Sequence, residues 1–177
     1  RNPKAWRAAK FDELAFVGLP DATTRMQALV SRQVDAALDL RVEDGSFVTD
    51  SGGRVEPFAT GNVESLQFVT AKKSPLQDQR VRQALNYAVN KQAIIDGLLH
   101  GYTKPATQYA SRAAFGFDPA LAVPYPYDPA KAKALLAEAG YPNGFDFPVE
   151  LMNSVDSAPY EQLAADLRAV GVRVTLS

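Results

Sequence analysis

Between Asp78 and Gly101 the chain reads DQRVRQALNYAVNKQAIIDGLLHG, and this stretch limits the possible folds more than any other. Val81, Ala84, Leu85, Ala88 and Val89 fall at i, i+3, i+4, i+7 and i+8, the spacing of one buried helix face. Asp78 stands where an N-cap carboxylate meets the first free amides. Asn90 stands at a second such place, predicting a helix over Lys91–Leu99 that buries Ile94, Ile95 and Leu98 and stops near Gly101. Short helices draw their stability from packing, so this pair requires a larger core around it. Its charges fit a scaffold too. Arg82 lies off the apolar stripe, and an acid or loop carbonyls are the expected partners of Arg80 and Arg82. His100 is expected as a favourable cation at a helix C-terminus.

The covering elements follow in the second half. Asp128-Pro129 is an N-cap followed by an N1 proline, opening a helix whose inner face is Ala132, Leu135, Leu136 and Ala139 and whose end is Gly140. FDFPVELM reads as a strand, NSVDSAP as a polar loop, Pro159–Val170 as a helix with Leu163, Leu167 and Val170 inward, and VRVTL after Gly171 as a second strand. Strand, helix and strand with short connections predict a parallel pair joined by a right-handed crossover, hence an α/β domain. Upstream, Leu14 and Phe16 predict a strand ending at Pro20. Asp21 caps a helix carrying Met26, Leu29 and Val30, and VDAALDL from Val34 predicts another strand. From Arg41 to Gly61 the chain is polar and glycine-bearing, with a short helix or loop and a strand near Arg54–Phe58. SLQFVT reads as a strand of a different body, placing a domain boundary near Ala59–Val63. Gly101–Tyr127 is rich in prolines and aromatics, the mark of a functional or covering loop.

Composition narrows function mainly by exclusion. Nineteen basic against 20 acidic residues leave a net charge of −1, which offers no footprint for nucleic acid or an anionic membrane. With no cysteine and one histidine, thiolate chemistry, disulfides and Cys-based zinc sites are absent, and a His-dependent triad has little to work with. No G-x-S-x-G or Walker loop occurs, and no carboxylate pair stands at a spacing that calls for acid–base work. No catalytic residue, metal ligand or cofactor is therefore assigned. No apolar run approaches membrane-spanning length, and the start lacks a signal-peptide core, as expected of a processed chain or an internal piece. Ligands of open parallel α/β sheets sit beyond the carboxyl ends of the strands, which points to the loop Asn153–Pro159. Asn153, Ser154 and Asp156 supply donors and acceptors there; the plainer reading is a solvated connection in which Ser157 caps the next helix. Trp6, Tyr125 and Tyr127 are read as packing covers before ligand stackers.

SPLQDQRVRQALNYAVNKQAIIDGLLHGYTKPATQ resembles the signature segment of the extracellular solute-binding proteins of the peptide/nickel class, family 5, which serve ATP-binding-cassette importers. The resemblance continues through GFDPALAVPYPYDPAKAKALLAEAGYPNGFDFPVELM and LAADLRAVGVRVTL, and reaches back to NPKAWRAAKFDELAFVGLPDATTRMQALVSRQVDAAL. It implies a fragment of a two-lobed, class II periplasmic-binding-protein-like α/β fold, mainly the second lobe, with a mixed sheet flanked by helices. Residues 1–58 correspond to the end of lobe one, 59–70 to a hinge or crossing strand, and 71–177 to a truncated lobe two. The implied function is non-enzymatic: capture of a peptide, metal chelate or other small solute between the lobes and delivery to ABC permease subunits. A monomer in the periplasm or outside the cell is expected, with lipid anchoring open. Gln67 on the crossing strand joins Asn153, Ser154 and Asp156 as an expected solute contact. In some dipeptide binders an arginine in the strand–helix loop clamps the ligand carboxylate; the equivalent loop here, Met152–Pro159, has no arginine, which removes that clamp. The family often has glycine where Arg32 stands, and asparagine near Val69-Thr70. Two rivals remain open: an α/β hydrolase or transferase using Asp156 or Asp78, and a receptor lobe that feeds a membrane sensor.

Overall fold

The computed structural model describes residues 10–58, 61–112, 114–121, 125–152 and 156–177. It divides into two compact units, Arg1–Glu56 and Pro57–Ser177.

The first unit is built on two short helices, α1 (Ala22–Val30) and α2 (Asp44–Asp50). Asp21 starts α1 as its sequence position implies, its carboxylate accepting the Thr24 amide at 2.7 Å. Arg25 holds the flanking segments together by donating to the carbonyls of Leu19, Pro20 and Asp39. Arg41 grips the buried Asp44 carboxylate with two hydrogen bonds of 3.1 Å. The strands expected around Leu14–Phe16, Val34–Leu40 and Arg54–Phe58 do not form ladders. These segments find no strand to pair with among the described residues, and Phe16 is 88% exposed. Apolar alternation makes a strand only where another backbone supplies the hydrogen bonds.

The second unit carries the main core. After a 3₁₀ turn at Pro75–Gln77 come α3 (Gln79–Ala88), α4 (Lys91–Leu98), α5 (Pro129–Glu138), β1 (Asp146–Val149), α6 (Ala158–Ala169) and β2 (Arg173–Leu176). The α3 stripe is buried as expected, with Val81, Ala84, Leu85, Ala88 and Val89 all inside. It packs chiefly on α5, whose Ala132 and Leu136 are fully enclosed, while Leu167, Val170 and Val172 close the cluster from the α6 side. Asp78, Asn90 and Asp128 cap α3, α4 and α5 through the amides of Arg80, Ala93 and Lys131. On α4, Ile95 is buried and Ile94 packs partly, but Leu98 is 37% exposed, because the helix ends there and turns away from the core. The stretch Glu64–Thr70 is extended without ladder partners. Phe68 reaches the core from it, and Gln77 Nε2 holds its end through the Thr70 carbonyl at 3.2 Å.

β1 and β2 pair in parallel, Asp146 opposite Arg173 through Val149 opposite Leu176, so the unit is α/β and the expected mixed sheet is represented by this one pair. Phe147, Val149, Val174 and Leu176 face inward, while Asp146 and Arg173 form an ion pair on the open face. The strands start at a close backbone crossing of Gly144 and Gly171. A Cβ at Gly144 would lie 1.8 Å from the Gly171 carbonyl oxygen, so neither side chain nor shift is tolerated there.

Candidate functional site

The parallel register sets the mouth of the candidate site. Beyond the ladder, Ser177 donates to the Val149 carbonyl and Leu151 to the Ser177 carbonyl, carrying the pairing to the carboxyl edge where the chain turns toward α6. This edge is the position that open α/β sheets offer to ligands.

Of the four residues expected to meet solute, Asn153 and Ser154 lie outside the described residues. Asp156 is exposed, and its Oδ1 accepts the Ala158 amide at 3.0 Å. The expected Ser157 cap is not made: Ser157 has helical backbone angles and its hydroxyl donates to Glu161 Oε1 at 2.9 Å. The physical reason is one of register. Because Ser157 already follows the helix, the carboxylate one residue earlier is the acceptor that reaches the first-turn amides. Asp156 therefore does structural duty with one oxygen. Gln67 is exposed, between half-buried Leu66 and Phe68, so the pleat turns it away from the core.

Tyr160, in the first turn of α6, was not singled out by the sequence. Burial pushes its phenol above its usual range, and the Glu64 carboxylate adds to the rise. No spacing pattern marks the pair, since 96 positions of chain separate Glu64 from Tyr160. A further long-range tie, Asp166 Oδ2 accepting the Asn90 amide at 2.8 Å, fixes α6 against the start of α4.

The groups that looked chemically suggestive in the α3–α4 stretch are occupied. Arg80 pairs with Asp78 at 2.6 Å and donates to the Glu138 carbonyl at the end of α5; Arg82 donates to the carbonyls of Leu76 and Gln77. His100 sits just past α4 in a left-handed conformation, φ 49°, with its ring against Tyr102. Tyr125 meets Tyr87 edge-on at 5.2 Å, as a packing cover does, and Trp6 lies outside the described residues. Among the described residues no cluster of His, Asp and Glu is arranged to hold a metal, and no helix is long and apolar enough to cross a membrane.

A parallel pair packed with capped helices makes the second unit α/β and leaves the carboxyl ends of its strands as the place to look for a ligand. The chain belongs to the bacterial extracellular solute-binding proteins, family 5, whose middle region matches residues 1–177. It is 37% identical over 169 residues to heme-binding protein A of Haemophilus influenzae, an alignment covering 92% of this chain and 30% of that protein. Against glutathione-binding protein GsiB of Escherichia coli K12 the identity is 31% over 142 residues, covering 77% of this chain and 26% of GsiB. Among solved structures, AgaA of A. tumefaciens R10 in complex with agropinic acid superposes with a TM-score of 0.69 at 30% identity, covering 89% of this chain and 32% of AgaA. The chain thus spans about a third or less of each of these relatives' lengths. The curated relatives are named as binding proteins.

Proposed function

We propose that this chain forms part of the solute receptor of an ABC-type importer, which captures a small solute between two lobes outside the cytoplasmic membrane and presents it to the permease. In this reading residues 1–58 end the first lobe, 59–70 cross between lobes and 71–177 make most of the second. Gln67, Asn153, Ser154 and Asp156 contact the solute, with Glu64 and Tyr160 beside them. The observation that carries the reading is the family match along the whole chain, taken with a parallel strand pair whose first strand ends just before residues 153–156 in the sequence. Solute that touches both lobes only when they are closed shifts the population toward the closed form, so the receptor needs binding contacts and no bond-breaking groups.

The relatives' names mention heme, glutathione and agropinic acid, compounds of unlike shape. What they have in common with this chain is therefore the lobe, and the solute is set by side chains in the cleft. A peptide-like compound is the class favoured here, without a carboxylate clamp from the Met152–Pro159 loop, which has no arginine. Native mass spectrometry of the full-length receptor purified without denaturation tests the proposal. A small compound that stays bound and is released on unfolding is the expected result; turnover of a substrate that disappears in Asp156→Asn would overturn it.

A further inference from the structure

A second cleft, sharing no residue with the β1–α6 loop, opens where α4 begins. It measures about 240 Å³ and is walled by Tyr125, Pro126, Tyr127 and Pro105, with Asn90, Lys91 and Gln92 also lining it. The aromatic wall is held in place by the fold itself. Tyr125 stands edge-on to Tyr87 at 87°, Lys131 Nζ lies 4.3 Å from the Tyr87 ring centre, and the Asp128 amide donates to the Tyr87 carbonyl at 2.8 Å. An apolar cavity of about 150 Å³ accepts a benzene ring, so this volume suits one ring with a short polar arm.

Lys91 supplies the charge such an arm would meet. Its ammonium is half-buried and donates to the Asn86 carbonyl at 3.0 Å, one of the free carbonyls ending α3. Among the described residues no carboxylate forms an ion pair with it. Burial pulls its pKa down, and no acid offsets the effect. A half-buried cation whose placed partner is a neutral carbonyl keeps part of its desolvation cost, which an arriving carboxylate would relieve.

We propose that this cleft binds a small single-ring aromatic carboxylate, its ring against Tyr125, Tyr127 and Pro105 and its carboxylate on the Lys91 ammonium. The site is independent of the solute contacts at Gln67 and Asp156 and does not rest on the transport reading. Phenylacetate is the probe, titrated into the 177-residue chain and followed by NMR of the tyrosine rings and the Lys91 side chain. A ligand of ten heavy atoms in such a cleft is expected to saturate with a Kd on the order of 1 mM. Lys91→Gln should weaken it roughly tenfold, Lys91→Arg should restore most of the loss, and 2-phenylethylamine, with the charge reversed, should bind roughly tenfold more weakly than phenylacetate. Tyr127→Ala, at a 48% exposed position outside the core, gives a second route to the same loss if Lys91→Gln impairs folding. Equal binding of the acid and the amine, an unchanged Kd in a folded Lys91→Gln variant, or no saturation up to about 20 mM would overturn the assignment.

Discussion

Arg32 occupies a left-handed conformation that three matching helix ends give to glycine. Four helices end in the same pair of hydrogen bonds, with the third residue past each end donating to the carbonyl five positions back: Gln33 to Ala28, Gly53 to Val48, Tyr141 to Leu136 and Val172 to Leu167. The left-handed residue in this motif is Gly52 after α2, Gly140 after α5 and Gly171 after α6, but Arg32 after α1, with φ 60°. The glycine that family members often carry here thus has a conformational reason. Arg32→Gly is expected to raise the stability of the first unit by about 1 kcal/mol, since a left-handed L-residue costs roughly 1–2 kcal/mol and glycine's greater freedom when unfolded takes part of it back. A rise in denaturant midpoint checks this; a fall would show that the Arg32 side chain contributes more than its backbone costs. The reverse changes should differ between two other glycines. Gly140→Ala meets open space and costs only the backbone term, whereas Gly144→Ala meets the Gly171 backbone and should cost several times as much, or abolish folding of the second unit. At the same scale, Arg80's side chain and amide hold the Asp78 carboxyl below its ordinary range, and the Thr24 amide and hydroxyl do so for Asp21. A lowered folded pKa gives stability that is present above the unfolded value of about 3.9 and is lost as pH falls through the folded one. Melting temperature should therefore drop below about pH 4, and less steeply in Asp78→Asn.

At the level of elements, the helices of the second unit were legible and most strands were not. Asp78, Asn90 and Asp128 make the expected cap bonds, because a cap and an apolar stripe use only residues a few positions apart. A strand's partner is not local. The segments at Leu14–Phe16, Val34–Leu40, Arg54–Phe58 and Ser65–Thr70 carry the right residue types, yet only β1 and β2 find each other. The candidate site was half legible for the same reason. The β–loop–α spacing pointed to residues 153–159, but the exchange of capping duty from Ser157 to Asp156 depends on where α6 begins, and the burial of Tyr160 depends on the tertiary fold. The α3–α5 contact gives this scale its test. Leu85→Ala, in the middle of the stripe, should destabilise the second unit by roughly 2–5 kcal/mol in urea unfolding. A loss below about 1 kcal/mol would mean that the stripe is not the core.

At the scale of the whole molecule, the stretch from Asp78 to Gly101 emerges as scaffold, and the sheet's carboxyl edge is the place proposed for solute. Its arginines are committed to Asp78 and to the carbonyls of Leu76, Gln77 and Glu138. Gln67 and Asp156, by contrast, are both exposed. The proposal that solute is held there is tested most directly by calorimetric titration of the full-length receptor with its co-purified solute, comparing three variants. Gln67→Ala and Asp156→Ala should each weaken binding by about tenfold or more, roughly the loss of one good polar contact, while Arg82→Ala should leave affinity within about twofold. Unchanged affinity in both edge variants, or a loss confined to Arg82→Ala, would contradict it.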